Sequence, residues 1–135
     1  MFKDAIVLIT GAASGIGFGT ARLFIAEGAT VVGFDLEEAA LAGARNDLGE
    51  RFVSRAGDVS NEADIAAAAR FVEEKFGRLD TLVNNAGRGT LVQMEAMQES
   101  DFYWHYDVLV KGPMLMVKHF APLLRKSANP SILNI

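Results

Sequence analysis

The chain contains no cysteine. That absence excludes a disulfide framework, a thiolate metal site and a cysteine nucleophile, while saying little about compartment. Proline is scarce, three in 135 residues, and no stretch is enriched in proline, serine or charge of one sign. Neither a linker nor a disordered tail is expected. Long apolar runs are also missing. The opening "MFKDAIVLIT" carries Asp4 and an apolar run too short for a signal h-region or a membrane span. This predicts a soluble, cytoplasmic protein with no membrane partner. Basic clusters are lacking too: Lys and Arg are dispersed and the formal net charge is −4, which argues against nucleic acid as a partner. What remains is a globular composition, 50% hydrophobic and 22% charged, at the length of one domain spanning residues 1–135.

The hydrophobic pattern alternates between two periods. "AIVLIT", residues 5–10, is a short apolar run ending in a glycine-rich turn, as for a strand buried on both faces. Ile16, Thr20, Leu23 and Glu27 then fall on helical spacing up to Gly28. "TVVGF" closed by Asp35 predicts a second strand, and Leu41, Ala44 and Leu48 a helix stopped at Gly49. "RFVSRA" predicts a third strand. The helix after it has Ser60 or Asn61 as N-cap, a stripe of Ile65, Ala69, Val72 and Phe76, and Gly77 at its end. "TLVN" is the fourth strand, residues 101–126 form one long amphipathic helix, and "SILNI" reads as a buried fifth strand. Trp104, Met114 and Met116 read as packing residues of that helix. Connections this short between alternating strands and helices predict a doubly wound parallel α/β sheet. Its ligand site belongs outside the carboxyl ends of the strands, where the strand order reverses.

Motifs collect at those strand ends. "TGAASGIG" places Gly11, Gly15 and Gly17 between a strand and a helix. Gly11 permits a tight turn, Gly15 leaves room for a pyrophosphate, and Gly17 lets the helix pack close to the strand. A glycine-rich connection with no ligand fits the same three residues. A P-loop does not, because Ile16 and Gly17 stand where Gly and Lys are required. Asp35 follows at a spacing that suits hydrogen bonds to both hydroxyls of an adenosine ribose. Neither Ser14 nor Leu36 supplies a cation to offset repulsion of a 2′-phosphate, so NAD is favoured over NADP. The alternative, less favoured by the spacing, is that Asp35 only caps the next helix. "GDVS" puts Asp58 and Val59 where a carboxylate could reach an adenine amino group and a backbone could lie beside the ring; it is also a helix-start signal. "NNAG", residues 84–87, is by itself a turn at a strand end.

Taken together in this order and spacing, "TGAASGIG", the acid ending strand two, "DV" at 58–59, "NNAG" and "SILNI" resemble the short-chain dehydrogenase/reductase family along the whole chain. The resemblance implies a Rossmann-type sheet of strand order 3-2-1-4-5. It also implies NAD- or NADP-dependent hydride transfer between the nicotinamide and an alcohol or carbonyl. It implies cofactor contacts from Gly11, Ser14, Gly15, Ile16, Gly17, Asp35, Leu36, Asp58, Val59, Asn85, Ala86 and Gly87, with Thr10 tying the first turn to the "NNAG" loop. The family's catalytic Ser and Tyr-x-x-x-Lys have no counterpart within these residues. Tyr106 and Lys111 are five apart, about 140° around a helix, and share no face. His105 and His119 stand about 21 Å apart along a helix and cannot share a metal ion. The chain therefore reads as the cofactor-binding portion of an enzyme whose catalytic residues are expected beyond Ile135, and as inactive alone. An NAD-sensing or interaction module of this length is the competing reading. A methyl-donor-dependent methyltransferase is a third, disfavoured by Thr10 in place of an acid and by "NNAG".

A second departure concerns the long helix. Leu109 occupies the position where the family has an Asn whose main-chain carbonyl holds a water of the proton relay. Pro113, four residues on, has no N–H to donate to that carbonyl, so a helix distortion with a free Leu109 carbonyl is expected. Apolar residues on the same helix suggest homo-oligomer formation through residues 101–126.

Overall fold

A computed structural model describes residues 1–89 and 91–135. The elements run β1 (Ile6–Thr10), α1 (Gly15–Ala26), β2 (Thr30–Asp35), α2 (Glu38–Leu48), β3 (Phe52–Ala56), α3 (Glu62–Phe76) and β4 (Thr81–Asn84). A 3-10 turn (Met94–Ala96), α4 (Glu99–Tyr106), a π-helical turn (Asp107–Lys111), α5 (Gly112–Leu124) and β5 (Ser131–Asn134) complete them. All strand pairs are parallel, in the order β3-β2-β1-β4-β5. The chain winds outward from β1 to β3, then returns to β4 on the other side of β1, which leaves the expected crevice at the β1–β4 carboxyl ends.

The apolar runs are continuous because both sheet faces are covered. On one face Ile6, Leu8, Val32, Phe34 and Leu82 pack with Ile65 and Val72 of α3 and Met116 and Phe120 of α5. On the other, Val7, Ile9, Val31 and Val83 pack with Ala21 of α1 and Leu41 and Ala44 of α2. The α3 cap falls to Asn61, whose side chain accepts from the Ala63 N–H at 3.0 Å. Gly77 closes the same helix in a left-handed conformation. Within the α3 stripe Ile65 and Val72 are fully buried, whereas Ala69 and Phe76 are partly buried and Ala68 takes the central place.

Four expectations need correction. The helical spacing that marked α1 is present, but its residues are not the ones that face the sheet: Ile16 and Leu23 are 66% and 67% exposed, while Gly17 and Ala21 are buried. Small residues set that face because the helix lies so close to the sheet that larger side chains would not fit beneath it. The single helix over residues 101–126 is instead α4, a π-helical turn and α5, starting at Glu99 with a Gln98–Asp101 capping box. The Gly112 N–H donates to the Asp107 carbonyl, five residues back. Pro113 then follows that turn at the start of α5 and donates no hydrogen bond back into it. Trp104 and Met114 are exposed and only Met116 is core. Finally, "SILNI" does form β5, but all four strand residues are exposed. Among the described residues β5 pairs with β4 alone, joined by backbone pairing and by side-chain contacts Thr81–Ser131 at 2.9 Å and Asn84–Asn134 at 2.8 Å.

Candidate functional site

The crevice at the carboxyl ends of β1, β2, β3 and β4 is a cleft of about 550 Å³. Its floor is the β1–α1 turn. Gly11 adopts φ +67, a conformation open to glycine, and its N–H donates to the Phe34 carbonyl at 2.8 Å. Gly17 is a packing glycine: a side chain there would collide with the Gly11 carbonyl and come within 2.6 Å of Asn85 Nδ2. It stands behind the cleft and does not line it.

Thr10 and Asn85 lock this turn to the end of β4. The buried Thr10 hydroxyl accepts from the Asn85 and Ala86 N–H groups at 3.0 and 2.9 Å. Asn85 Nδ2 donates back to the Thr10 and Gly11 carbonyls at 3.0 and 3.3 Å. The two central strands thereby present their loops as one rigid unit, with Gly11, Ser14, Gly15, Ile16, Asn85, Ala86 and Gly87 along the cleft.

Asp35 projects from the end of β2 with both carboxylate oxygens engaged. Oδ2 accepts from the Ala13 N–H at 3.0 Å and Oδ1 from the Glu37 N–H at 3.2 Å. This acid holds the glycine turn against the β2–α2 loop and lines the cleft, and each of its oxygens can accept a further hydrogen bond. Asp58 is similarly ordered: Oδ1 accepts from the Ser60 N–H and hydroxyl, both at 2.7 Å, and its own N–H donates to Asp64 at 3.0 Å. Asp58 therefore closes the turn ahead of the Asn61 cap of α3 and also lines the cleft beside Val59. Leu36, 65% exposed, lines it as well.

Residues that sequence reasoning missed are Glu37, Ser60, Arg88, Trp104 and Val108, which complete the lining. Trp104 and Val108 are four apart, and that spacing could have been read as one helical face turned toward the cleft. Leu109 lies against the loop end: a methyl on Gly87 would come within 3.1 Å of its Cδ2. Lys111 Nζ pairs with Asp107 Oδ1 at 2.9 Å and not with a tyrosine. His105 contacts the Asp101 carbonyl at 2.6 Å and His119 contacts Glu62 at 2.8 Å, so the two imidazoles serve separate local contacts.

An open parallel sheet with its glycine turn and acid at the switch point defines the Rossmann class of α/β proteins. The model for "short chain dehydrogenase" matches residues 5–135, and the chain belongs to that family. It is 37% identical over 136 residues to an uncharacterized oxidoreductase, YxjF, of Bacillus subtilis strain 168, covering 98% of this chain and 53% of that protein. It is 38% identical over 116 residues to galactitol 2-dehydrogenase of Agrobacterium fabrum, covering 86% of this chain and 45% of that enzyme. Among solved structures, the 3-ketoacyl-(acyl-carrier-protein) reductase of Brucella melitensis in complex with NADH superimposes with a TM-score of 0.94 at 36% identity. That match covers 99% of this chain and 57% of the reductase. The chain thus spans about half the length of the curated relatives it matches.

Proposed function

We propose that residues 1–135 form one domain that holds NAD for an oxidoreductase acting on an alcohol or carbonyl substrate. The observation that carries this reading is the joint placement of the glycine turn, Asp35 and the Asn85–Gly87 loop around one cleft. Gly11, Ser14, Gly15 and Ile16 are assigned to the pyrophosphate, with Gly17 keeping that turn flat. Asp35 and Leu36 take the adenosine ribose, Asp58 and Val59 the adenine, and Asn85, Ala86 and Gly87 the nicotinamide half. Bound there, the nicotinamide supplies or accepts a hydride. Asp35, reinforced by Glu37 in the same lining, repels a 2′-phosphate, which supports NAD over NADP. The test is titration of the chain with NADH and NADPH by nucleotide fluorescence. NADH is expected to bind at least about tenfold tighter, and Asp35→Ala to reduce that ratio. Equal affinity, or no binding of either, would sink the assignment.

The catalytic Ser and Tyr-x-x-x-Lys of the family are not among these residues, so this segment alone is expected to bind NAD only weakly and not to turn over substrate. Pro113 supports the idea that the Leu109 carbonyl stays free for a relay water despite loss of the Asn side chain. A buried, dry Leu109 carbonyl in a high-resolution crystal structure would refute it. The second reading, an NAD-binding or interaction module, draws support from Leu109 itself, which packs on Gly87 where the family has an amide. Exposed Phe102, Tyr103, Tyr106, Val110 and Met114 support self-association through α4 and α5, checked by sedimentation. A cytoplasmic location is part of the same proposal; among the described residues no helix is long and apolar enough to cross a membrane.

A further inference from the structure

Charge is unevenly spread along the cleft. Asp35, Glu37 and Asp58 line its β2–β3 end, whereas Arg88, directly after the Asn85–Gly87 loop on β4, is the one cation that lines it among the described residues. Arg88 is exposed, and no carboxylate among the described residues forms an ion pair with it. It therefore does no evident work for the scaffold. Beside it Trp104 and Val108, one helical turn apart on α4 and the π-helical turn, add an apolar wall to the same cleft. Trp104 remains 40% exposed, so a large aromatic surface is available there for contact.

In an open parallel sheet the two halves of a dinucleotide lie on either side of the switch point. With the adenosine ribose at Asp35 on β2, the nicotinamide half falls over the end of β4, next to Arg88. A guanidinium is a fixed planar fork that matches anionic oxygens, and an unpaired one at the reacting end of a cleft is placed to read the substrate. We infer that Arg88 is a specificity-determining residue that selects substrates carrying a carboxylate or phosphate near the reacting alcohol or carbonyl. Trp104 and Val108 receive the apolar body of such a substrate. This inference rests on the cofactor reading proposed above. The competing task for Arg88 is the diphosphate of the dinucleotide itself.

The experiment saturates the chain with NADH and titrates three probes by calorimetry or NMR: a 3-oxo acid, its primary amide, and the phosphate monoester of a hydroxyketone. The acid, the phosphate ester or both are expected to bind about fivefold to tenfold tighter than the amide, and whichever gains more names the anionic group. Arg88→Gln is expected to erase that preference while leaving amide and NADH affinities within about twofold, and Arg88→Lys to restore part of it. Equal binding of all three probes would overturn the inference. So would a loss of NADH affinity in Arg88→Gln, which would assign the guanidinium to the diphosphate. Failure of the wild-type chain to bind NADH overturns the cofactor reading and this inference with it, whereas NADH binding without anion preference overturns this inference alone.

Discussion

β1 and β5 are short apolar strands pairing with opposite edges of β4, yet within residues 1–135 β1 is buried along its whole length and β5 is exposed along its whole length. Their residues do not explain the contrast. β1 is hydrogen-bonded on both sides and covered by α1 and α2 on one face and α3 and α5 on the other. β5 shares a ladder with β4 and joins neither apolar cluster. An apolar run specifies that a segment will pair; its neighbours decide whether it is buried. The same contrast divides the cleft, whose strand ends at β1, β2 and β4 are pinned by Thr10, Asp35 and Asn85 while its α4 side presents exposed Trp104.

The contrast can be broken most directly by cutting equivalent side chains. Leu8→Ala in β1 is expected to cost about 3 to 4 kcal/mol, and Leu133→Ala in β5 less than about 1 kcal/mol, read from urea unfolding. Comparable losses would mean that β5 is covered in solution, for example by a second copy. A somewhat smaller effect is expected within α1. Gly17→Ala drives a methyl into the Gly11 carbonyl and should cost about 2 to 3 kcal/mol, with cofactor affinity falling in parallel. Gly19→Ala, where the added methyl meets nothing within 4 Å, should be neutral or stabilise by up to about 1 kcal/mol. Equal behaviour of the two variants would remove the close approach from the account of the turn.

The smallest expected effect concerns the residue that joins the two regions. Burial by itself would raise the Asp80 carboxyl, but hydrogen bonds from the Ser127 hydroxyl, the Ile6 N–H and Arg78 outweigh it and hold the group below its ordinary range. A pKa lowered in the folded state adds stability above the unfolded value, near about pH 4, and that contribution is lost as pH falls through the folded value. Stability should decline on that acidic side, and Asp80→Asn should flatten the decline when urea midpoints are followed from neutral pH downward. An unchanged profile would show that β1 and the Ser127 turn ahead of β5 are not coupled through this carboxylate.

The glycine turn, Asp35, Asp58–Val59 and "NNAG" were legible as site candidates because each sits where an apolar run stops, and strand ends are where an α/β sheet places its ligand. The strand order followed from the family resemblance, since period alone cannot say which strands are neighbours. Arg88 and Glu37 carried no local pattern; each is an ordinary loop charge until the sheet brings β2 and β4 to the same opening. Trp104 was read as packing because a helix period does not say which side is covered.

Local chemistry in the sequence therefore determined the alternation of strands and helices, the breaks at Gly28, Gly49 and Gly77, and the distortion ahead of Pro113, all of which depend on backbone preferences within a few residues. Tertiary structure alone decided that Gly17 and Ala21 face the sheet while Ile16 and Leu23 face solvent. It also decided that acids and a lone arginine share one cleft. Burial and proximity belong to the neighbours a residue meets, and those neighbours come from elsewhere in the chain.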